Sequence, residues 1–147
     1  LANFIYNEFK RALAAGEVDW DSSDVRVLLA MTNTTANTED DANTIAGFTT
    51  LDEFDGSGYS TGGVALTGEA LSENSGQNRA EADANDAAFG PLGAGTRQVQ
   101  GAIVYVYLGS LGASLPAAWI DSGGFPFTAN GANVTIQWNA GGIIQIA

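Results

Sequence analysis

The stretch GFPFTANGANVTIQWNAGGIIQI, Gly124 to Ile146, decides the fold class. Val134, Ile136 and Trp138 alternate with Thr135, Gln137 and Asn139. A period of two marks a half-buried strand, whose successive side chains point to opposite faces. Asn130-Gly131, just ahead of it, is a turn dipeptide, because both residues tolerate positive φ. Gly141-Gly142 breaks the chain again, and Ile143, Ile144 and Ile146 form a last strand. The pattern predicts a closing hairpin of a β fold that locks earlier strands in place, with Trp138 in the core. Nothing in it resembles a reactive centre.

Working back from this stretch, QVQGAIVYVYL (Gln98 to Leu108) has the β-branched and aromatic content of a strand, and PAAWID (Pro116 to Asp121) follows as another. DVRVLLAM (Asp24 to Met31) is apolar on both faces, which predicts a central strand. Val64 to Leu71 and Arg79 to Phe89 read as two strands around the turn Ser72 to Asn78, and Gly90 to Thr96 as a loop. Thr32 to Gly63 is rich in Thr, Asn, Asp and Gly and reads as a long ordered loop, with a short helix over 40–46 capped by Thr38. The one clear helix spans residues 4–15, with Asn3 as N-cap and Gly16 as its stop. Ile5, Phe9, Ala12 and Leu13 share a face, which either packs on a sheet or docks on a neighbouring subunit through Phe9 and Leu13. Together these elements predict a mainly β domain over residues 1–147, a β-sandwich or small barrel with one N-terminal helix packed on it.

Composition removes several function classes. The net charge is −12, from 17 acidic and five basic residues, so binding to nucleic acid or to an anionic membrane is not expected. No apolar run is long enough for a transmembrane helix, and no secretory leader pattern opens the chain. The numbering starts at Leu1, so an initiator Met is expected to lie ahead of it. There is no Cys and no His, which removes disulfides, thiolate nucleophiles, the usual zinc ligands and the commonest general base. Ser110, Ser114 and Ser122 therefore have no His to activate them.

Carboxylates are the remaining candidates for chemistry. Glu39-Asp40-Asp41 and Asp52-Glu53-Asp55 form two clusters, each in a polar loop where solvated or helix-starting acids are the ordinary reading. Asp52 to Gly58 suggests a calcium loop, but Phe54 occupies a ligand position and Gly62 stands where the closing Glu belongs, so the pattern fails. Gly90 to Gly95 lacks the Lys of a phosphate loop. No cofactor and no metal are expected. Among the aromatic residues, Tyr105 and Tyr107 share one strand face. Phe125-Pro126-Phe127 follows two glycines and precedes a turn, so it either caps one end of the core or anchors a partner.

NFIYNEFKRALAAGEVDW (Asn3 to Trp20) followed by DVRVLLAM resembles the opening of small structural proteins of tailed-bacteriophage virions. GYSTGGVALTG, RAEADANDAAFGPLGAGT, AIVYVY and the Gly124 to Ile146 stretch resemble their later blocks, in order along nearly the whole chain. The resemblance implies a non-enzymatic virion component, of the kind that decorates or cements a capsid. It also implies the major capsid protein, or further copies of this chain, as partner, and a position on the outer capsid surface. The alternative is a neck, tail or head appendage whose aromatic face binds host-surface glycans.

Overall fold

The computed structural model describes residues 3–147 and is mainly β, with three sheets and one short helix. Its centre is an antiparallel five-stranded sheet in the order β1 (Phe4–Ile5), β8 (Leu115–Ile120), β7 (Val99–Val106), β2 (Val25–Met31), β3 (Val64–Ala65). The register sorts side chains into two faces. Val27 lies opposite Val104 and Leu29 opposite Ala102, while Leu28 lies opposite Ile103, which in turn lies opposite Trp119. The first set packs in one apolar cluster and the second in another, so β2 is central and buried on both sides, as its two-sided apolarity predicts. Gly101 is required beside Trp119, because a Cβ there would stand 2.4 Å from the indole ring.

The first face is covered by a second layer. The three-stranded sheet β10 (Ile144–Ile146), β5 (Arg79–Asp83), β4 (Ala70–Asn74) and the two-stranded sheet β6 (Ala87–Pro91), β9 (Asn133–Ile136) contribute Ala82, Phe89, Ile136 and Ile144 to that cluster. The arrangement is sandwich-like, with α1 (Asn7–Ala14) placing Phe9 and Ala12 in the same core. Phe9 meets Trp20 edge-on, and the Trp20 indole N–H donates to the carbonyl of Asp83 at 2.9 Å, tying the segment after the helix to β5.

The second face is covered by the long loop between β2 and β3. Ala36, Ile45 and Phe48 are buried against Tyr6, Leu28, Tyr105 and Trp119. Its polar backbone is satisfied by the body of the protein, as burial requires. Ile45 N–H donates to Ser114 O at 2.9 Å, Asn7 N–H to Asp40 O at 2.9 Å, and the Tyr6 hydroxyl to Ala36 O at 2.8 Å. The loop then returns along β2, where Phe54 N–H reaches Leu29 O at 2.8 Å.

Several boundaries differ from the sequence reading. Phe4 and Ile5 pair with β8 rather than opening the helix, so Asn3 is not a cap. Its side-chain oxygen accepts from Asp121 N–H, and the helix starts after Tyr6. An open sheet edge offers two apolar residues both hydrogen bonds and burial, which outweighs a marginal extra helical turn. The helix expected over 40–46 is a single 3₁₀ turn, Ile45–Gly47. Val64 to Leu71 and Arg79 to Phe89 are each interrupted, giving β3 and β4, then β5 and β6, and β6 continues through Pro91 into the expected loop. The final stretch is not a hairpin. β9 pairs with β6 and β10 with β5, in different sheets. Trp138 is half-buried, packing on the core without being enclosed by it.

Phe9 has no exposed surface, so it is a core residue and is not available to a partner, while Leu13 is half-buried. Replacing Phe9 with Ala is expected to cost about 3–5 kcal/mol, the usual cost of deleting a buried aromatic. Leu13→Ala should cost about 1 kcal/mol, the share of a half-buried aliphatic. Urea denaturation of the two variants checks this, and equal losses would mean that the helix is not oriented as described.

Candidate functional site

An open groove of about 590 Å³ lies between β9, with the residues that follow it, and the segment leading from β8 through Phe125 and Phe127. Its volume lies in the ordinary range for small-ligand sites. Along β9 Asn133 and Thr135 are exposed, Val134 is half-buried and Ile136 buried; the strand ends there, and Gln137 is exposed and Trp138 half-buried in the irregular segment that follows. The opposite wall comes from the Gly-Gly-Phe-Pro-Phe segment. Gly123 and Gly124 adopt φ of 75° and 126°, which side chains disfavour, and so swing the chain outward before Phe125. Phe127 brings it back, exchanging backbone hydrogen bonds of 2.9 and 3.0 Å with Val99 on β7.

The aromatic groups are held in place. Phe125 and Phe127 touch with ring centroids 5.6 Å apart, and both pack partly on the core. The Trp138 indole N–H donates to Asn85 O at 2.9 Å, and its backbone N–H donates to Asp86 Oδ1 at 2.9 Å. The Phe125-Pro126-Phe127 segment thus caps one part of the core and also lines the groove through its two rings, while Pro126 is exposed. No residue lining the groove is Asp, Glu, Lys or Arg. Its polar groups are the amides of Asn133, Gln137 and Asn139 and the hydroxyls of Ser122 and Thr135. Such a surface can donate and accept hydrogen bonds but holds no group that titrates near neutrality.

A second, mostly apolar groove of about 470 Å³ runs between α1 and the chain end, lined by Ile5, Leu13, Ala14 and Ile146 with Lys10 and Gln145 at its margin. Leu13, singled out from the sequence, lies here. Ile146 is 43% exposed and marks the groove as open.

The two acidic clusters act as loop ties. Glu39 accepts from Thr35 Oγ1 at 2.8 Å and from Thr49 N–H at 2.8 Å, and the Thr49 contacts lead in holding its pKa below the ordinary value. Asp52 pairs with Arg97, and Asp55 accepts from Thr96 N–H and its hydroxyl, which lowers the Asp55 pKa. Glu53 differs. It lies half-buried under the loop, its Oε1 accepting from the Tyr59 hydroxyl at 2.9 Å and Gly62 N–H at 2.5 Å, and burial raises its pKa despite both bonds. Beside it Tyr105 donates to Gly62 O at 2.6 Å, and burial pushes the Tyr105 phenol up to about 12. Among the described residues no three of His, Cys, Asp and Glu gather as a metal site, and no helix is long and apolar enough to cross a membrane. Ser114 is buried, donating to Ser110 O at 2.6 Å, while Ser122 sits in the aromatic groove.

The sequence pointed to Phe125 and Phe127 but not to the amide row opposite them. The signal for that row was present in the alternation of the stretch 133–138, in which Asn133, Thr135 and Gln137 are all exposed. No protein-family model, curated protein or solved structure matches the chain. Fold and groove together define a sandwich-like β protein with a neutral aromatic cleft.

Glu53 gives a pH test of this arrangement. Its raised folded-state pKa means that the native protein binds more protons than the unfolded chain at pH values between the unfolded and folded pKa. Its contribution to stability is therefore complete below about pH 4.3 and is lost as pH rises through the folded value. Glu53→Gln keeps the accepting oxygen and removes the charge. Its melting temperature is expected to equal or exceed that of the parent at about pH 8, with the difference closing at about pH 3. Thermal melts of the pair across pH check this, and a variant less stable at high pH would show that the ionised carboxylate is favoured.

Proposed function

We propose that the chain is a non-enzymatic structural protein of a tailed-phage virion, a decoration or cement protein on the outer face of the head. Its partner is the major capsid protein, neighbouring copies of itself, or both. The resemblance along the sequence supports this reading, and the observation that carries it is the disposition of charge. Four of the five basic residues, Arg11, Arg26, Arg79 and Arg97, are paired with the chain's own acids. Lys10 donates to Asn7 Oδ1. A body of net charge −12 with its cations so occupied has little with which to meet a packaged genome, whose duplex carries one phosphate per roughly 1.7 Å. On the outer surface the same acids face water and are screened within about 8 Å.

The contact with the shell is assigned to the apolar groove of Ile5, Leu13 and Ile146. Burial of such a surface is insensitive to salt, so attachment should survive ionic strengths that dissolve charge pairing. The sheet covered on both faces, with its loops tied down, suits a part that must bind without changing shape.

Purified, genome-filled particles test the proposal. An antibody to this chain should reach it on intact particles, and its copy number should scale with that of the shell subunit. Protection until the shell is broken would overturn the outer-face assignment. A copy number of only a few per particle would move the protein to the neck or tail.

A further inference from the structure

We propose that the groove between β9 and the Phe125-Pro126-Phe127 segment binds a neutral oligosaccharide. The inference stands on the chemistry of the groove and does not depend on where in a virion the chain sits. The aromatic rings of Phe125, Phe127 and Trp138 are half-buried, so each presents part of a fixed apolar surface to the cleft. Saccharide rings have apolar C–H faces that stack on such surfaces, and a rim of hydroxyls that both donate and accept. Asn133, Thr135 and Gln137 supply matching groups. Their side chains are exposed and carry no hydrogen bond to other described residues, so a ligand need displace only water. Trp138 already satisfies its indole N–H through Asn85, which leaves its ring free for stacking alone.

Charge selects among sugars. A groove with no ionisable side chain, on a chain of net charge −12, offers an acidic sugar no cation and a repulsive field. A neutral sugar pays neither cost. The geometry also favours a sugar over an extended peptide. Adding a strand draws its affinity from main-chain hydrogen bonds along an edge. β9 has only four residues, its pairing with β6 is irregular at Phe89 to Pro91, and the next amide, that of Trp138, is already bonded to Asp86.

The full chain is to be applied to an array of immobilised oligosaccharides, neutral glucans, mannans, galactans and chito-oligosaccharides alongside sialylated and sulfated ones, together with a library of extended peptides. Neutral hits are then titrated by calorimetry and tryptophan fluorescence. Retention on one class of neutral oligosaccharide is expected, with no retention on the anionic ones. Asn133→Ala with Gln137→Ala changes only exposed side chains and should weaken binding at least about ten-fold, the loss expected of two neutral hydrogen bonds, at unchanged melting temperature. Trp138→Ala should abolish binding and the fluorescence change, and Leu71→Ser, which is outside the groove, should leave both as they are. The proposal is overturned if no neutral oligosaccharide binds at millimolar concentration, if the double amide variant binds like the parent, if anionic sugars bind as well as neutral ones, or if the groove takes peptides instead.

Discussion

The structure depends on one constraint: β2, β7 and β8 form sheet strands that are apolar on both sides. A strand with one wet face needs only one cover, whereas these need two. The first is a second layer of sheets with the N-terminal helix. The second is a loop, which is an unusual choice because irregular backbone carries polar groups that a helix or strand would satisfy internally. The chain resolves this by bonding the loop to whatever it crosses, including the β7–β8 connection at Ser114 and the helix start at Asn7. The N-terminal strand follows from the same constraint, since Phe4 and Ile5 complete the β8 edge and bring Tyr6 over the second face.

The acidic clusters take their meaning from that loop. Asp and Glu side chains accept several hydrogen bonds at once, and here they gather backbone and threonine donors that would otherwise go unpaired. Glu39 draws Thr35 and Thr49 together across the loop, and Asp55 holds Thr96 from a segment 41 residues away. Glu53 does the same at greater depth, where desolvation outweighs its two bonds. The partners of these acids are hydroxyls, amides and one guanidinium, each satisfied within the chain.

The period-two pattern made faces legible but not partners. Ile136 does face inward from β9 and the two-sided strand 25–31 is central, because side-chain alternation is local geometry; Trp138, beyond the end of the strand, is only half-buried. Which strand β9 joins is set by residues far away in sequence, so a neighbouring run of isoleucines suggested a hairpin that the fold does not make. The breaks at Thr67-Gly68 and near Asn85 were hidden for a related reason. Asn85 bonds Thr67 across them, a contact between two turns that neither turn announces alone. Half of the groove was similarly readable. Two glycines before Phe125 signalled a projecting loop, while the amides opposite became a wall only once β9 had paired with β6.

The groove's walls are therefore products of the two layers. Phe127 is fixed by Val99, which belongs to the central sheet, and Trp138 by Asn85 and Asp86, which lie between β5 and β6 in the second layer. A cleft assembled this way holds its aromatic surfaces apart before any ligand arrives, so little ordering remains to oppose binding. Its neutrality has a structural origin as well. Glu39, Glu53 and Asp55 accept from backbone N–H groups of loop residues, whereas β9 pairs with β6, and Phe127 with Val99, through backbone groups alone. The one carboxylate that anchors a wall, Asp86, does so through the backbone N–H of Trp138 and is not among the groove-lining side chains, which leaves the cleft uncharged on a strongly acidic body.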